Sequence, residues 1–428
     1  MNIVARARTM TVRIIAHLKY TPILGFAALL GLVRIGIYAK LLDVAEFGLL
    51  SKALLISGFF CVAGSFGFQI LAQRDLPTVF AHHRYRFGLV ILGKAGMITS
   101  VAALLLFFLP LLSFVPLQVS ALVFLIAVLH GWALQSFMLL VLDSRSRLEM
   151  IPYSMHILSR TVFSLALASV VALLGGGGIG ILLAELLVTV VLAGRIMQKL
   201  LVAAHFSWGI FLRLCKKGFT RKEWSVAGIL LLGTTLAFLS SSADRWIAAD
   251  ALTAKQFGLY SFSWIPLVAA MSIQSLLNAG LFPLIAQRRV AGSDRKALRV
   301  TAMVSIGLLL FSFAAAFLAN YLIAWIIPKW YGQYTDALPL FLPLLLAAAF
   351  RVSDFWSSYL IIVHRHISLL VTQSFLILTA FLYCRYGLQG IDWTGDPYNF
   401  TLLALFLAVG NYIVNAVVAF FAGYKVGS

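Results

Sequence analysis

The sequence is short of charge. Only 11% of its 428 residues are Asp, Glu, Lys or Arg, and 62% are hydrophobic; a soluble domain has about 25% and about 45–50%. Such an excess cannot be buried in a water-soluble core and still leave a wettable surface. Acids are scarcest, 14 against 33 Lys and Arg, which leaves a formal net charge of +19. The positive residues lie in short patches between apolar runs, so no basic domain exists to wrap a duplex. Anionic headgroups and topology explain the patches, and no nucleic-acid partner is expected. Cysteine is nearly missing: Cys61, Cys215 and Cys384 are scattered, with neither metal-ligand spacing nor a paired framework. A cleavable signal is also missing. Residues 1–20 set Arg6, Arg8, Arg13 and Lys19 among apolar residues with no small-residue cleavage site, as expected of a segment lying along cytoplasmic headgroups. The glycine run 175–178 is followed by no Gly-Lys-Ser/Thr, which excludes a phosphate loop. His82/His83 and His364/His366 lack acidic partners and form no metal motif. No metal or cofactor is expected.

What the sequence has is long apolar runs. About 20 apolar residues in a helix cross the hydrocarbon core, and a crossing segment must satisfy its own backbone groups. Twelve spans are predicted, at 22–42, 47–69, 89–112, 117–142, 151–174, 179–196, 223–243, 257–283, 298–327, 337–362, 367–386 and 399–421. With the N-terminus inside, the cytoplasmic side takes Arg74/Arg84/Arg86, Arg145/Arg147, the cluster from Arg195 to Lys222, Arg288/Arg289/Arg295/Lys296/Arg299, Arg365 and Lys425. The outer connections hold only Lys40, Lys52, Arg245, Lys255, Lys329 and Arg385. The positive-inside bias therefore puts both termini in the cytoplasm.

The basic connection 197–222 divides the chain nearly in half and is expected to hold an interfacial amphipathic helix. An echo supports that division: Asp-Val-Ala-Glu-Phe-Gly-Leu-Leu-Ser at 43–51 against Thr-Ala-Lys-Gln-Phe-Gly-Leu-Tyr-Ser at 253–261. Arg34 and Arg245 each lie about a dozen residues before their Phe-Gly-Leu, and six spans per half give both halves the same orientation. The expected architecture is an all-α polytopic membrane protein, with two six-helix halves related by a parallel pseudo-twofold. Its parts are an N-terminal segment 1–21, a first half 22–196, a linker 197–222 and a second half 223–428.

These segments also carry a family resemblance. Arg34 to Gln69 holds a basic residue, a short turn, Phe47-Gly48-Leu49 and a helix ending Gly64-Ser65-Phe66-Gly67. The second half adds Asp244-Arg245-Trp246, Phe257-Gly258-Leu259-Tyr260-Ser261, Leu281-Phe282-Pro283 and Pro328-Lys329-Trp330-Tyr331-Gly332. Together they resemble the polysaccharide flippases of the multidrug/oligosaccharidyl-lipid/polysaccharide exporter superfamily, with the Wzx-type O-antigen flippases the nearest branch. Pro328-Lys329 departs from the aliphatic residue more usual there. The resemblance implies translocation of undecaprenyl-diphosphate-linked oligosaccharide across a bacterial inner membrane by alternating access. It implies as partners the lipid-linked substrate, membrane lipids, a coupling cation (proton or sodium) and other polysaccharide-assembly membrane proteins. The alternatives are a drug or cation antiporter of the same superfamily, whose lumen would favour acids, and a membrane-embedded O-antigen polymerase or glycosyltransferase, which would carry a larger outer loop than 386–399 with Asp392 and Asp396.

The polar residues inside the spans supply the candidate site. An arginine in mid-helix costs about 2.5–3.5 kcal/mol on insertion scales, so it usually faces a cavity or a partner. Arg34, Arg160 and Arg351 lie deep in their spans, and Gly31, Arg34 and Tyr38 share a helical face. With Arg245 they are the candidates for holding a diphosphate, whose oxygens suit the guanidinium fork. The competing reading pairs each with a carboxylate or carbonyl, as Asp354 could pair with Arg351. Glu185 and Asp354 are the ion-coupling candidates. Glu185 has no partner in its own helix, and a salt bridge to Arg351 is favoured for Asp354. Lys94, near the start of its span, is expected to snorkel. Ser51, Gly58, Cys61, Ser65 and Gln69, with the pairs Gln274/Asn278 and Asn411/Asn415, read as helix-packing positions.

Overall fold

A bilayer leaves backbone N–H and C=O groups no water to bond, so the long apolar runs fold as helices. The computed structural model describes the backbone of residues 3–112, 116–291, 294–363, 365–386 and 395–425. Within them sixteen helices follow one another: α1 (Ile3–Leu41), α2 (Val44–Ala63), α3 (Phe68–Ala81), α4 (Tyr85–Phe107), α5 (Ala121–Ser146), α6 (Met150–Leu173), α7 (Gly177–Ala203), α8 (Trp208–Cys215), α9 (Arg221–Ala251), α10 (Ala254–Ser263), α11 (Ile265–Ala291), α12 (Asp294–Trp330), α13 (Leu338–Ser353), α14 (Trp356–Ile362), α15 (His366–Tyr386) and α16 (Pro397–Lys425). No strand occurs among the described residues. Eleven stretches are long and apolar enough to cross a membrane, and the shorter apolar helix Ile367–Leu382 brings the set to twelve. The protein is an all-α polytopic membrane protein.

Some helices start where side chains satisfy orphan amides. Ser120 accepts from Val123 N–H at the start of α5, and Thr253 with Gln256 closes a reciprocal capping box on α10. Three expected spans are interrupted. The span 47–69 stops at Ala63 and resumes as α3 at Phe68, because Phe66 (φ 50°) and Gly67 (φ 80°) turn the chain out of the helix. The span 257–283 divides at Trp264 into α10 and α11, and the span 337–362 breaks at Asp354-Phe355 between α13 and α14. Apolar periodicity runs through all three breaks, so hydropathy merges what the backbone separates. The N-terminal segment is continuous with the first span in α1, through Pro22.

The chain forms two compact units. Unit 1 is Met1–Leu41 with Ala53–Thr235; unit 2 is Leu42–Lys52 with Leu236–Ser428. In unit 1, α1 packs on α6, α6 on α7, and α5 on both α7 and α4. The linker carries the short helix α8, whose buried Phe211 and Cys215 meet α4 at Gly93 while Trp208 and Ile210 stay exposed. In unit 2, α13 packs against α11, α12 and α16. The echoed segments meet inside unit 2. A Cβ on Gly48 would overlap the Ala254 carbonyl, and one on Gly258 would overlap the Val44 carbonyl. Each glycine of the echo therefore lets the other segment's backbone approach.

Candidate functional site

The polar residues of unit 1 converge on one carboxylate. Glu185 of α7 is 2% exposed. Its Oε1 accepts from Tyr38 Oη at 2.8 Å and lies 3.0 Å from Arg34 Nη1. Arg34 and Tyr38 are one turn apart on α1, so their shared face reaches a single oxygen. The other oxygen, Oε2, is 3.4 Å from His130 Nε2 of α5. His130 Nδ1 is in turn 2.7 Å from Ser57 Oγ of α2. That contact depends on the neighbouring residue. A Cβ at Gly131 would sit 2.8 Å from the Ser57 carbonyl oxygen, so only glycine lets α2 and α5 come this close.

A second polar chain runs alongside. Gln135 Nε2 donates to Gln69 Oε1 at 2.9 Å, and Cys61 Sγ donates to Gln135 Oε1 at 3.3 Å. Arg160 of α6 completes the cluster, with its guanidinium 5.7 Å from the Phe137 ring centroid. Its Nη1 is buried without a hydrogen-bond partner, as is Arg34 Nε. With His130 neutral, two arginines face one carboxylate, and the cluster keeps one positive charge in excess.

Glu185 has no partner in its own helix, but it is not an unpaired acid. Its partners come from α1 and α5, where reading along α7 alone cannot find them. Arg34 and Arg160 do come together, around Glu185. His130 and Ser57 are missed by the sequence reading, although a histidine within an apolar span carries the same signal that singles out Glu185.

Unit 2 holds Arg245, Arg351 and Asp354 in a different way. The expected Arg351–Asp354 salt bridge does not form. Arg351 Nη2 donates to the Ser240 and Ser241 carbonyls at 3.2 and 3.4 Å. Asp354 Oδ2 accepts from Asn411 Nδ2 at 2.8 Å and from Asn415 Nδ2 at 3.2 Å, both on α16. The physical reason is the break after α13. Asp354 stands at its end, and its Oδ1 also accepts from Ser357 N–H at 3.4 Å, in the first turn of α14. Asn411 and Asn415 are thus a carboxylate clamp rather than packing positions alone, while their own Oδ1 atoms are buried without partners. Asp244, 1% exposed, accepts from Tyr260 Oη and from Trp264 Nε1, the latter at 2.8 Å. Arg245 lies 4.7 Å from the Trp264 ring centroid.

Lys94 lies 5.4 Å from the Phe219 ring centroid. Among the described residues no three His, Cys, Asp or Glu side chains group as metal ligands. The side chains of His364, His366, Cys384 and Asp392 lie outside the described residues.

Long apolar helices in two units with charge inside the spans define a class, the multi-pass membrane proteins. Solved structures make the fold more particular. The chain is similar to the lipid II flippase MurJ in an inward closed conformation, with 14% identity, a TM-score of 0.67, and 93% of this chain and 87% of that one covered. It is similar to a point mutant of the Vibrio cholerae MATE transporter VcmN at 16% identity and a TM-score of 0.59, covering 96% of each chain. An inward-facing multidrug resistance MATE family transporter of the MOP superfamily matches at 14% identity and a TM-score of 0.54, over 93% of this chain and 94% of that one. The chain therefore has the fold that MurJ and the MATE transporters share, and these neighbours are transporters and a flippase rather than enzymes. No protein-family model matches the sequence, and no curated protein does.

Proposed function

We propose that this protein is a flippase that moves undecaprenyl-diphosphate-linked oligosaccharide, of the O-antigen or a related polysaccharide repeat, across a bacterial inner membrane by alternating access. The observation that carries the reading is the excess positive charge around the buried Glu185 of unit 1, where Arg34 and Arg160, both half-buried, are set against a single carboxylate. Arginines inside a span are retained when something answers their charge. A diphosphate does so, since each guanidinium can donate two parallel hydrogen bonds to its oxygens. Arg160 offers a free donor at once. Arg34 becomes available by exchanging its carboxylate for the diphosphate. The sugar stays solvated and the lipid tail stays in the bilayer.

Asp354 is where we place a coupling cation. Its carboxylate is buried beside two amide oxygens without partners, and turning either amide would add an oxygen ligand. A cationic-drug antiporter is the second reading, favoured by the buried acids Glu185, Asp244 and Asp354. It needs a site of net negative charge, whereas Glu185 is outnumbered by its arginines.

Translocation of undecaprenyl-diphosphate-linked sugar in proteoliposomes tests the reading. Arg34→Ala and Arg34→Gln should abolish it without loss of folded protein. Arg34→Lys should restore part of it, because lysine keeps the charge and loses the fork. Wild-type rates in Arg34→Ala would overturn the assignment.

A further inference from the structure

The exchange at Arg34 leaves His130 unexplained. This imidazole is 2% exposed, on α5, and one nitrogen faces the Glu185 carboxylate while the other faces Ser57. Glu185 thus lies between two bases, with Arg34 on one oxygen and His130 on the other. Around them α1 brings Arg34 and Tyr38, α2 brings Cys61, α6 brings Arg160 and α7 brings Glu185 itself. Other charged groups on α5 and the helices packed against it have contacts of their own, among them Arg86 of α4 over the Phe206 ring and Arg147 with Asp143 at the end of α5. Lys94 of α4 lies over Phe219, Arg74 and Asp75 of α3 pair with each other, and His156 of α6 is within electrostatic reach of Lys199.

We propose that His130 is the proton-binding group that transfers Arg34 from Glu185 to the anion. The proposal rests on reading this cluster as an anion site. In the neutral imidazole one nitrogen donates and the other accepts, so Ser57 O–H donates to Nδ1 when Nε2–H points at Glu185. Protonation makes both nitrogens donors. Ser57 then accepts, and Glu185 gains a cation on Oε2 that answers its charge without Arg34. The new charge also repels the guanidinium, and the cluster's excess rises from one positive charge to two. Arg34 is released at the moment the site is most attractive to a diphosphate. By linkage the anion must raise the affinity for the proton by the same factor as the proton raises the affinity for the anion. Histidine suits this role because its ordinary titration falls near neutral pH, and glutamine in its place would keep hydrogen bonds without the charge.

Two measurements on the full-length protein in detergent test this. The first is a ¹⁵N-histidine NMR titration between pH 5 and 9, with the His130 signal identified by its loss in His130→Gln. His130 should titrate within this range, and Arg34→Gln should move its midpoint to higher pH by removing the competing cation. A signal that does not titrate, or is indifferent to Arg34→Gln, overturns the proposal. The second is the affinity for geranylgeranyl diphosphate over the same range. Above the midpoint the wild-type Kd should weaken by up to tenfold per pH unit more than that of His130→Gln, whose slope reports the titration of the diphosphate alone. Ser57→Ala, which spares the imidazole, should shift the midpoint and keep the slope; His130→Asn stands in if His130→Gln does not fold. Equal slopes in wild type and His130→Gln overturn the proposal. Absence of diphosphate binding in the wild type at every pH would instead sink the anion-site reading, while the NMR titration still decides whether His130 and Arg34 compete for Glu185.

Discussion

Two buried clusters, one in each unit, solve the same problem in opposite ways. In unit 1 the acid and the bases answer one another directly, with Glu185 against Arg34 and His130. In unit 2 the direct contacts of Asp354, Asp244, Arg351 and Arg245 are with neutral groups. Asp354 takes two asparagine amides, Asp244 takes a tyrosine and a tryptophan, Arg351 takes two carbonyls and Arg245 an indole face. A charge held by neutral dipoles stays where helix ends and side chains fix it. A charge held by another charge can change partners when a third ion arrives. Under the proposed function this difference assigns the exchangeable anion to unit 1 and the small cation to unit 2.

The largest expected effect would break the comparison most directly. Removing one partner of a buried ion pair leaves the other uncompensated, at a cost of about 3–5 kcal/mol, whereas replacing both by apolar groups is often neutral. Glu185→Ala should therefore destabilise the protein by about that much, and adding Arg34→Met should recover most of the loss. Unfolding in mixed micelles measures both. Additive losses in the double variant would mean that the 3.0 Å contact carries no exchangeable charge pair.

The counterpart in unit 2 is smaller. Asp354→Asn keeps an acceptor for Asn411 and Asn415 while weakening two charge-assisted bonds, so about 1–3 kcal/mol is expected. Arg351→Met should not rescue it, because Arg351 bonds to carbonyls rather than to Asp354. Rescue would show an ion pair in unit 2 after all, and the two units would no longer differ in kind.

How far this contrast can be read from the sequence follows from what fixes it. Hydropathy and the charge pattern are local properties, and they are enough to place the spans and pick out Arg34, Arg160, Glu185 and Asp354 as costly residues. Partner choice is tertiary. Glu185 meets residues 151 and 55 positions away, and no periodicity along α7 points to them. Asp354 is misread from sequence because Arg351, three residues before it, looks like a partner on a continuous helix, and the helix ends there. The breaks themselves are half legible. Gly64-Ser65-Phe66-Gly67 carries glycines where the chain turns, while Asp354-Phe355 carries no such mark. His130 is legible by the rule applied to the acids, and its value becomes apparent only where α2 and α5 meet at Gly131.

The smallest effect sharpens the comparison by supplying burial with no ion pair. Cys215, on α8 outside the spans, packs on Gly93 of α4 and is 2% exposed. Burial pushes its thiol from 9.0 up to about 11, against the opposing pull of the Lys94 charge. The folded state therefore holds this proton more tightly than the unfolded chain does. The associated stability is present in full below pH 9 and is lost as pH rises from there through about 11. At neutral pH the thiol should be inert. In a Cys61→Ser, Cys384→Ser background its alkylation by iodoacetamide should accelerate about tenfold per pH unit and go on rising beyond pH 9, since the thiolate is the nucleophile. A rate that levels off near pH 9 would mean that the α8–α4 contact opens to solvent. Continued acceleration would show that, even with Lys94 nearby, a thiol buried without an ion pair keeps its neutral form, whereas in unit 1 Glu185 is in direct contact with Arg34.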